Sequence, residues 1–167
     1  GPVISARSKA FVHEMIERGV AEGARLALDG RGLTVPGREG GHFSGPTVIA
    51  DVRPGSDLHR TEVFGPVVAL MRVASLDEAL DVLNAHPYAN GASIYTASGY
   101  AARKFKLEAG AGMIGVNVGI PAPVAYLPFG GARQSFLSDI KTQGRDNLRF
   151  FTQAKVVTER WWPEDRP

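Results

Sequence analysis

A near-continuous apolar run, Val67 to Val73, passes within two residues into the quartet Ser75-Leu76-Asp77-Glu78. A run of that length and continuity predicts a strand buried on both faces. The quartet predicts a helix start, because the Ser75 hydroxyl can accept the Glu78 amide while the Glu78 carboxylate reaches back to the cap. A buried strand followed at once by a capped helix is the alternation of an α/β sheet, and few other architectures accommodate it.

The same alternation runs through the chain. Ser5 can cap a first helix whose apolar face is Phe11, Val12, Met15, Ile16 and Val20, with Gly19 and Gly23 marking its end. Arg25 to Leu28 reads as a short strand before the Asp29-Gly30 turn, and the glycine- and proline-rich residues 31 to 46 read as a surface loop. A strand over Thr47 to Val52 and a turn at Pro54-Gly55 precede the Val67 run. After it come a helix with Leu76, Ala79, Leu80 and Leu83 on one face and a strand over Ala92 to Thr96. A helix over 100 to 109 capped by Ser98 and a strand over Met113 to Val118 follow. A proline-rich loop over 120 to 136, a short helix near 143 to 149 and a final extended strand through Val156, Val157 and Thr158 complete the series. The terminal pair Trp161-Trp162 is expected to dock, on this domain or on a neighbouring subunit.

Composition removes several classes of function. A length of 167 residues favours one core, and 44% hydrophobic with 22% charged residues is ordinary for a globular protein. The formal charge of +2 and the short cluster Arg103, Lys104, Lys106 do not make a nucleic-acid surface. No apolar run approaches the roughly 18 residues of a membrane span. Absence of cysteine excludes disulfides, thiolate metal sites and any thiol chemistry by this chain alone. The N-terminus lacks a signal-peptide pattern, so the expected compartment is the cytoplasm.

Several motifs are better explained without chemistry. Gly110-Ala111-Gly112-Met113-Ile114-Gly115 matches G-x-G-x-x-G, but it follows a helix and opens a strand, the reverse of what dinucleotide binding needs. His13, His42, His59 and His86 have no metal-ligand spacing, so no metal site is expected and isolated or satisfied histidines are the better reading. No serine occupies a G-x-S-x-G elbow, and Asp77 with Glu78 is accounted for by the cap.

Glu62-Val63-Phe64-Gly65-Pro66-Val67 resembles the cofactor-contacting segment of NAD(P)-dependent aldehyde dehydrogenases, and it has company in the same order. Gly1 to Ser5, Gly45-Pro46-Thr47-Val48-Ile49, Pro87-Tyr88-Ala89-Asn90-Gly91, Gly115 to Val118, Pro128-Phe129-Gly130-Gly131 and Phe151 to Thr158 resemble further segments of that family. Together they cover essentially the whole chain, which looks like the C-terminal part of such an enzyme. Within the family, Gly115 to Pro123, Ser135 to Asp139 and the Phe151-to-Trp161 ending most resemble the methylmalonate-semialdehyde branch, which acylates coenzyme A.

The resemblance implies a partial aldehyde dehydrogenase catalytic domain: an α/β fold with a mostly parallel sheet flanked by helices over 1–150. Residues 151–167 would form a tail with a C-terminal oligomerisation strand. It implies a cysteine thiolate that attacks the aldehyde, hydride transfer to NAD, and a thioester released by water or coenzyme A. This chain holds no catalytic residue in that scheme. Glu62 would accept the nicotinamide ribose hydroxyls and Phe64 would lie beside the nicotinamide ring. Asn117, Ile120, Pro121 and Phe129 would line the substrate pocket. The implied partners are the missing N-terminal part of the same enzyme and further copies, joined through the C-terminal strand. Two alternatives stay open: a fragment of a hydrolytic aldehyde dehydrogenase, and a free-standing assembly module without catalysis.

Overall fold

Ser5 Oγ accepts the Ser8 amide at 3.0 Å and starts α1 (Ala6–Ala21). Ser75 does the same for α3 (Leu76–Ala85) through the Glu78 amide at 3.2 Å, and Ser98 for α4 (Gly99–Glu108) through the Ala101 amide at 3.2 Å. Each cap satisfies one of the amides that a helix start leaves without a partner. Glu78 completes its box one residue early, on the Ala74 amide at 2.7 Å. The computed structural model describes residues 1 to 163 and divides the chain into two compact units, Gly1–Pro87 and Tyr88–Pro167.

In the first unit, β1 (Arg25–Leu28), β2 (Thr47–Ala50) and β3 (Val67–Ala69) form one sheet in that order. β1 returns antiparallel to β2 through a connection with no helix, whereas β2 and β3 run parallel with α2 (Asp57–Arg60) between them. Parallel neighbours need a crossover connection, and only the second link supplies one. The core gathers Val12, Met15 and Ile16 of α1, Ile49 of β2 and Leu58 of α2, with Ala24 and Val52 from the connecting segments. Full burial of such aliphatic side chains contributes about 1.5–3 kcal/mol each. Val63 and Val67 pack against this cluster, which ties the segment between α2 and β3 to the core.

In the second unit, β5 (Gly91–Ile94) and β6 (Met113–Val116) pair in parallel, with α4 as the crossover. β4 (Tyr88–Ala89) and β7 (Ala132–Arg133) make a separate antiparallel pair. A last helix, α5, covers Asp146–Phe151.

Two expectations are corrected, and a third, the final strand, has no partner strand among the described residues. The sheet is not one mostly parallel layer: among the described residues there are three small sheets, with two parallel and two antiparallel pairings. The Val67–Val73 run is not buried on both faces. Its regular part stops at Ala69, and Val68 is 54% exposed while Val67 packs on the core, so only one face of β3 is covered. The final strand does not form within the described residues. Val156 is 91% exposed and Trp161 85%, so the tail does not dock on this chain. An extended segment with no neighbour has no ladder to join. The last four residues of that tail, 164 to 167, lie outside the described residues.

Candidate functional site

Glu62 and Phe64 lie on the segment that leaves α2 and enters β3. Ser56 Oγ caps the helix on the His59 amide at 3.3 Å, and the Thr61 amide closes it on the Asp57 carbonyl at 3.0 Å. Beyond that point the chain is gripped from both ends. Val63 packs on the core, the Pro66 carbonyl accepts the Thr47 amide at 2.8 Å, and Gly65 presses onto α1. A Cβ at position 65 would stand 2.6 Å from Val12 Cγ2, so only glycine allows this approach.

Between the two grips, Phe64 takes a left-handed backbone, φ 52°, and the residue is 81% exposed. A non-glycine residue in that region costs on the order of 1–2 kcal/mol. Strain of this kind persists only where the surrounding structure holds it, and it clusters at ligand clamps and active sites. Phe64 is therefore no core residue. The exposed Glu62 carboxylate is on the same segment. Leu58, Thr61, Glu62, Val63, Phe64, Gly65, Val67 and Ala69 line an open cleft of about 360 Å³. A carboxylate there can accept two hydroxyl donors at once, and the ring offers an apolar plate.

The other candidate residues belong to the second unit. Asn117 follows β6 with φ 56°, and its side chain pairs with the backbone of Thr96: Nδ2 donates to the carbonyl at 3.1 Å and Oδ1 accepts the amide at 2.9 Å. Its amide is therefore engaged in closing the end of the β5–β6 pair. Pro121 seats its ring over the glycines of the two strands: its Cγ would lie 2.9 Å from a Cβ at Gly91, and its Cβ 3.3 Å from one at Gly115. With Asn117 and Pro121 fixed, Ile120 is left 80% exposed. Phe129 forms an isolated antiparallel bridge with Thr142, its amide donating to the Thr142 carbonyl at 2.6 Å. Thus Glu62 and Phe64 share one cleft, and Asn117, Ile120 and Pro121 share one loop.

The G-x-G-x-x-G stretch links a helix to a strand and opens no helix. α4 ends at Glu108, β6 begins at Met113, and Gly112 meets the backbone of Gly131, whose carbonyl carbon would lie 2.4 Å from an added Cβ. Among the described residues no three His, Asp or Glu side chains gather as a metal-ligand set, and no helix is long and apolar enough to cross a membrane. Two histidines that the sequence left isolated meet in space: the His59 and His86 rings contact edge to face at 4.8 Å. Their 27-residue separation gives a sequence reader no signal.

The aldehyde dehydrogenase family model matches residues 1–157. The chain is 47% identical over 165 residues to the Drosophila pseudoobscura pseudoobscura protein named "Probable methylmalonate-semialdehyde/malonate-semialdehyde dehydrogenase", acylating and mitochondrial, matching 99% of this chain and 32% of that one. The crystal structure of methylmalonate-semialdehyde dehydrogenase from Oceanimonas doudoroffii superposes with a TM-score of 0.92 at 42% identity, covering 96% of this chain and 33% of that one. A Mycobacterium tuberculosis aldehyde dehydrogenase complexed with NAD+ gives 0.81 at 30% identity, over 92% of this chain and 30% of that one. The chain thus spans about a third of the length of the relatives it matches.

Proposed function

We propose that this chain, which belongs to the aldehyde dehydrogenase family, carries part of an NAD site and acts as a portion of a methylmalonate- or malonate-semialdehyde dehydrogenase. The observation that carries this reading is the Glu62–Phe64 segment, where a backbone gripped on both sides holds a carboxylate and an aromatic ring outward in a cleft. That pair fits the cofactor: Glu62 would hold the nicotinamide ribose hydroxyls and Phe64 would restrict where the ring can lie. NAD would supply the acceptor for the electron pair lost by the aldehyde.

Asn117, Ile120, Pro121 and Phe129 are read as wall residues of the substrate pocket. The Thr96-bound Asn117 and the glycine-seated Pro121 keep that loop stiff, which leaves Ile120 as its apolar tip. The sequence contains no cysteine, so the thioester route needs a thiol from outside these 167 residues. The chain alone is accordingly expected to be inactive. The acylating relatives favour coenzyme A over water as the acyl acceptor.

The exposed apolar tail, Val156 with Trp161 and Trp162, favours pairing with another copy of the enzyme, in keeping with an unpaired extended segment. A cytoplasmic location belongs to the same proposal, although relatives are named mitochondrial. The test is Glu62→Ala in the enzyme that combines this chain with its cysteine-bearing remainder. NAD affinity is expected to fall about tenfold or more, as for loss of hydrogen bonds to a charged group. An unchanged affinity would remove Glu62 from the cofactor site.

A further inference from the structure

His59 is held at three points. Its amide donates to Ser56 Oγ at 3.3 Å, its ring Nδ1 accepts the Gly55 amide at 3.0 Å, and its carbonyl accepts Nε2–H of His86 at 2.9 Å. The two rings meet edge to face at 77°. His86 is the C-cap of α3, and His59 stands in the last turn of α2, three residues before Glu62. A helix of four residues cannot fix its own exit, since its final carbonyls have no partner within the helix. The imidazole of His86 supplies one.

We propose that His86 is a positioning residue, which by holding the His59 carbonyl sets the direction in which Glu62 and Phe64 leave α2, and that the neutral His59 ring completes the hold and releases it on protonation. The inference rests on the reading of Glu62 and Phe64 as cofactor contacts. A protonated Nδ1 would face the Gly55 amide donor to donor, so the Gly55 anchor exists only with the neutral ring. Burial, then the adjacent His86, then Arg60 hold the His59 imidazole below the ordinary histidine value of 6.5. Other charges around α2 come from α1, where Arg18 pairs with the Asp57 carboxylate at 3.2 Å and Glu22 accepts the Asp57 amide at 2.9 Å. Neither pairs with the ring. The hold is therefore complete above pH 6.5, and it weakens as the pH falls from there through the lowered value.

The experiment is a pH titration of the full 167-residue chain, reading backbone amide and histidine ring signals by NMR, with nicotinamide mononucleotide as the binding probe. The amides of Gly55, Thr61, Glu62 and Phe64 are expected to move together with the His59 ring, at a midpoint below 6.5. His59→Asn keeps an acceptor that does not titrate, so Glu62 and Phe64 should lose their pH dependence and stay at their high-pH positions. His86→Gln keeps a donor and should preserve those positions. His86→Ala should move them at every pH and weaken mononucleotide binding about tenfold, as for one lost hydrogen bond to an anchored segment. Glu62 and Phe64 amides that ignore His59 titration, or that stay put in His86→Ala, would overturn the proposal. If Glu62→Ala leaves binding intact while the amides still follow His59, the cofactor reading fails and the positioning role stands. If Glu62→Ala abolishes binding while the amides ignore His59, the reverse holds.

Discussion

Asn117 pairs with Thr96 in both directions, donating from Nδ2 at 3.1 Å and accepting at Oδ1 at 2.9 Å. A side-chain amide here does what a backbone unit would do, one step past the point where β6 ends and the main chain turns left-handed at φ 56°. The loop that carries Ile120 and Pro121 therefore starts from a fixed point. Asparagine suits both demands, since it tolerates the left-handed region and brings donor and acceptor together.

Asn117→Ala removes both hydrogen bonds and leaves a Cβ in an unfavourable backbone region. The expected loss is about 2–3 kcal/mol in urea denaturation. Asn117→Gly loses the bonds but relieves the backbone, so it should cost about 1 kcal/mol less than alanine. Equal losses for the two variants would show that the left-handed φ plays no part.

Gly65 is where the cleft meets the core. An added methyl would lie 2.6 Å from Val12 Cγ2, on a side chain with no exposed surface. Gly65→Ala is expected to destabilise the chain by about 1–3 kcal/mol through overpacking. The displaced backbone should also release Phe64 from its left-handed conformation, visible as a changed amide-to-Hα coupling. A stable variant with Phe64 unchanged would contradict this tight approach.

Asp29 holds Arg31 through Oδ2 at 2.6 Å and also accepts the Arg31 amide at 3.0 Å. The guanidinium and that amide lower the Asp29 carboxyl from 3.8 to about 2. Its folded value lies below its unfolded one, so this contribution to stability is present above pH 3.8 and is lost as the pH falls through about 2. Side-chain carbonyl NMR should show Asp29 titrating near 2, and Arg31→Ala should bring it back toward 3.8. An Asp29 that titrates near 3.8 in the unaltered chain would contradict the pairing.

Removing residues 153 to 167 takes away a tail whose Val156 and Trp161 touch little of this chain. The melting temperature of the remainder is expected to stay the same, while sedimentation velocity should record loss of self-association. A monomer both before and after deletion would contradict an assembly role.

What could be read from the sequence was local chemistry. Ser5, Ser75 and Ser98 announced their helices because a cap needs only a hydroxyl and the amide three residues on. The glycines at 110 and 112 were set apart from a dinucleotide fingerprint because the order of helix and strand decides what such glycines do, and they do lie between a helix end and a strand start. Features that depend on distant partners stayed hidden. β4 and β7 are two-residue strands that exist only through each other, and α2 is a single turn after a glycine. The Val67 run looked doubly buried because apolar residues announce burial without saying which side is covered. Glu62 and Phe64 were found by motif, but neither the left-handed backbone of Phe64 nor the hold of His86 on His59 leaves a local trace.

The most direct test of the account is titration of the chain with nicotinamide mononucleotide, followed residue by residue. Weak binding is expected, with perturbations confined to the cleft residues Leu58, Thr61 to Gly65, Val67 and Ala69 and abolished by Glu62→Ala. Perturbations centred elsewhere, or unaffected by Glu62→Ala, would contradict the assignment of this cleft to the cofactor.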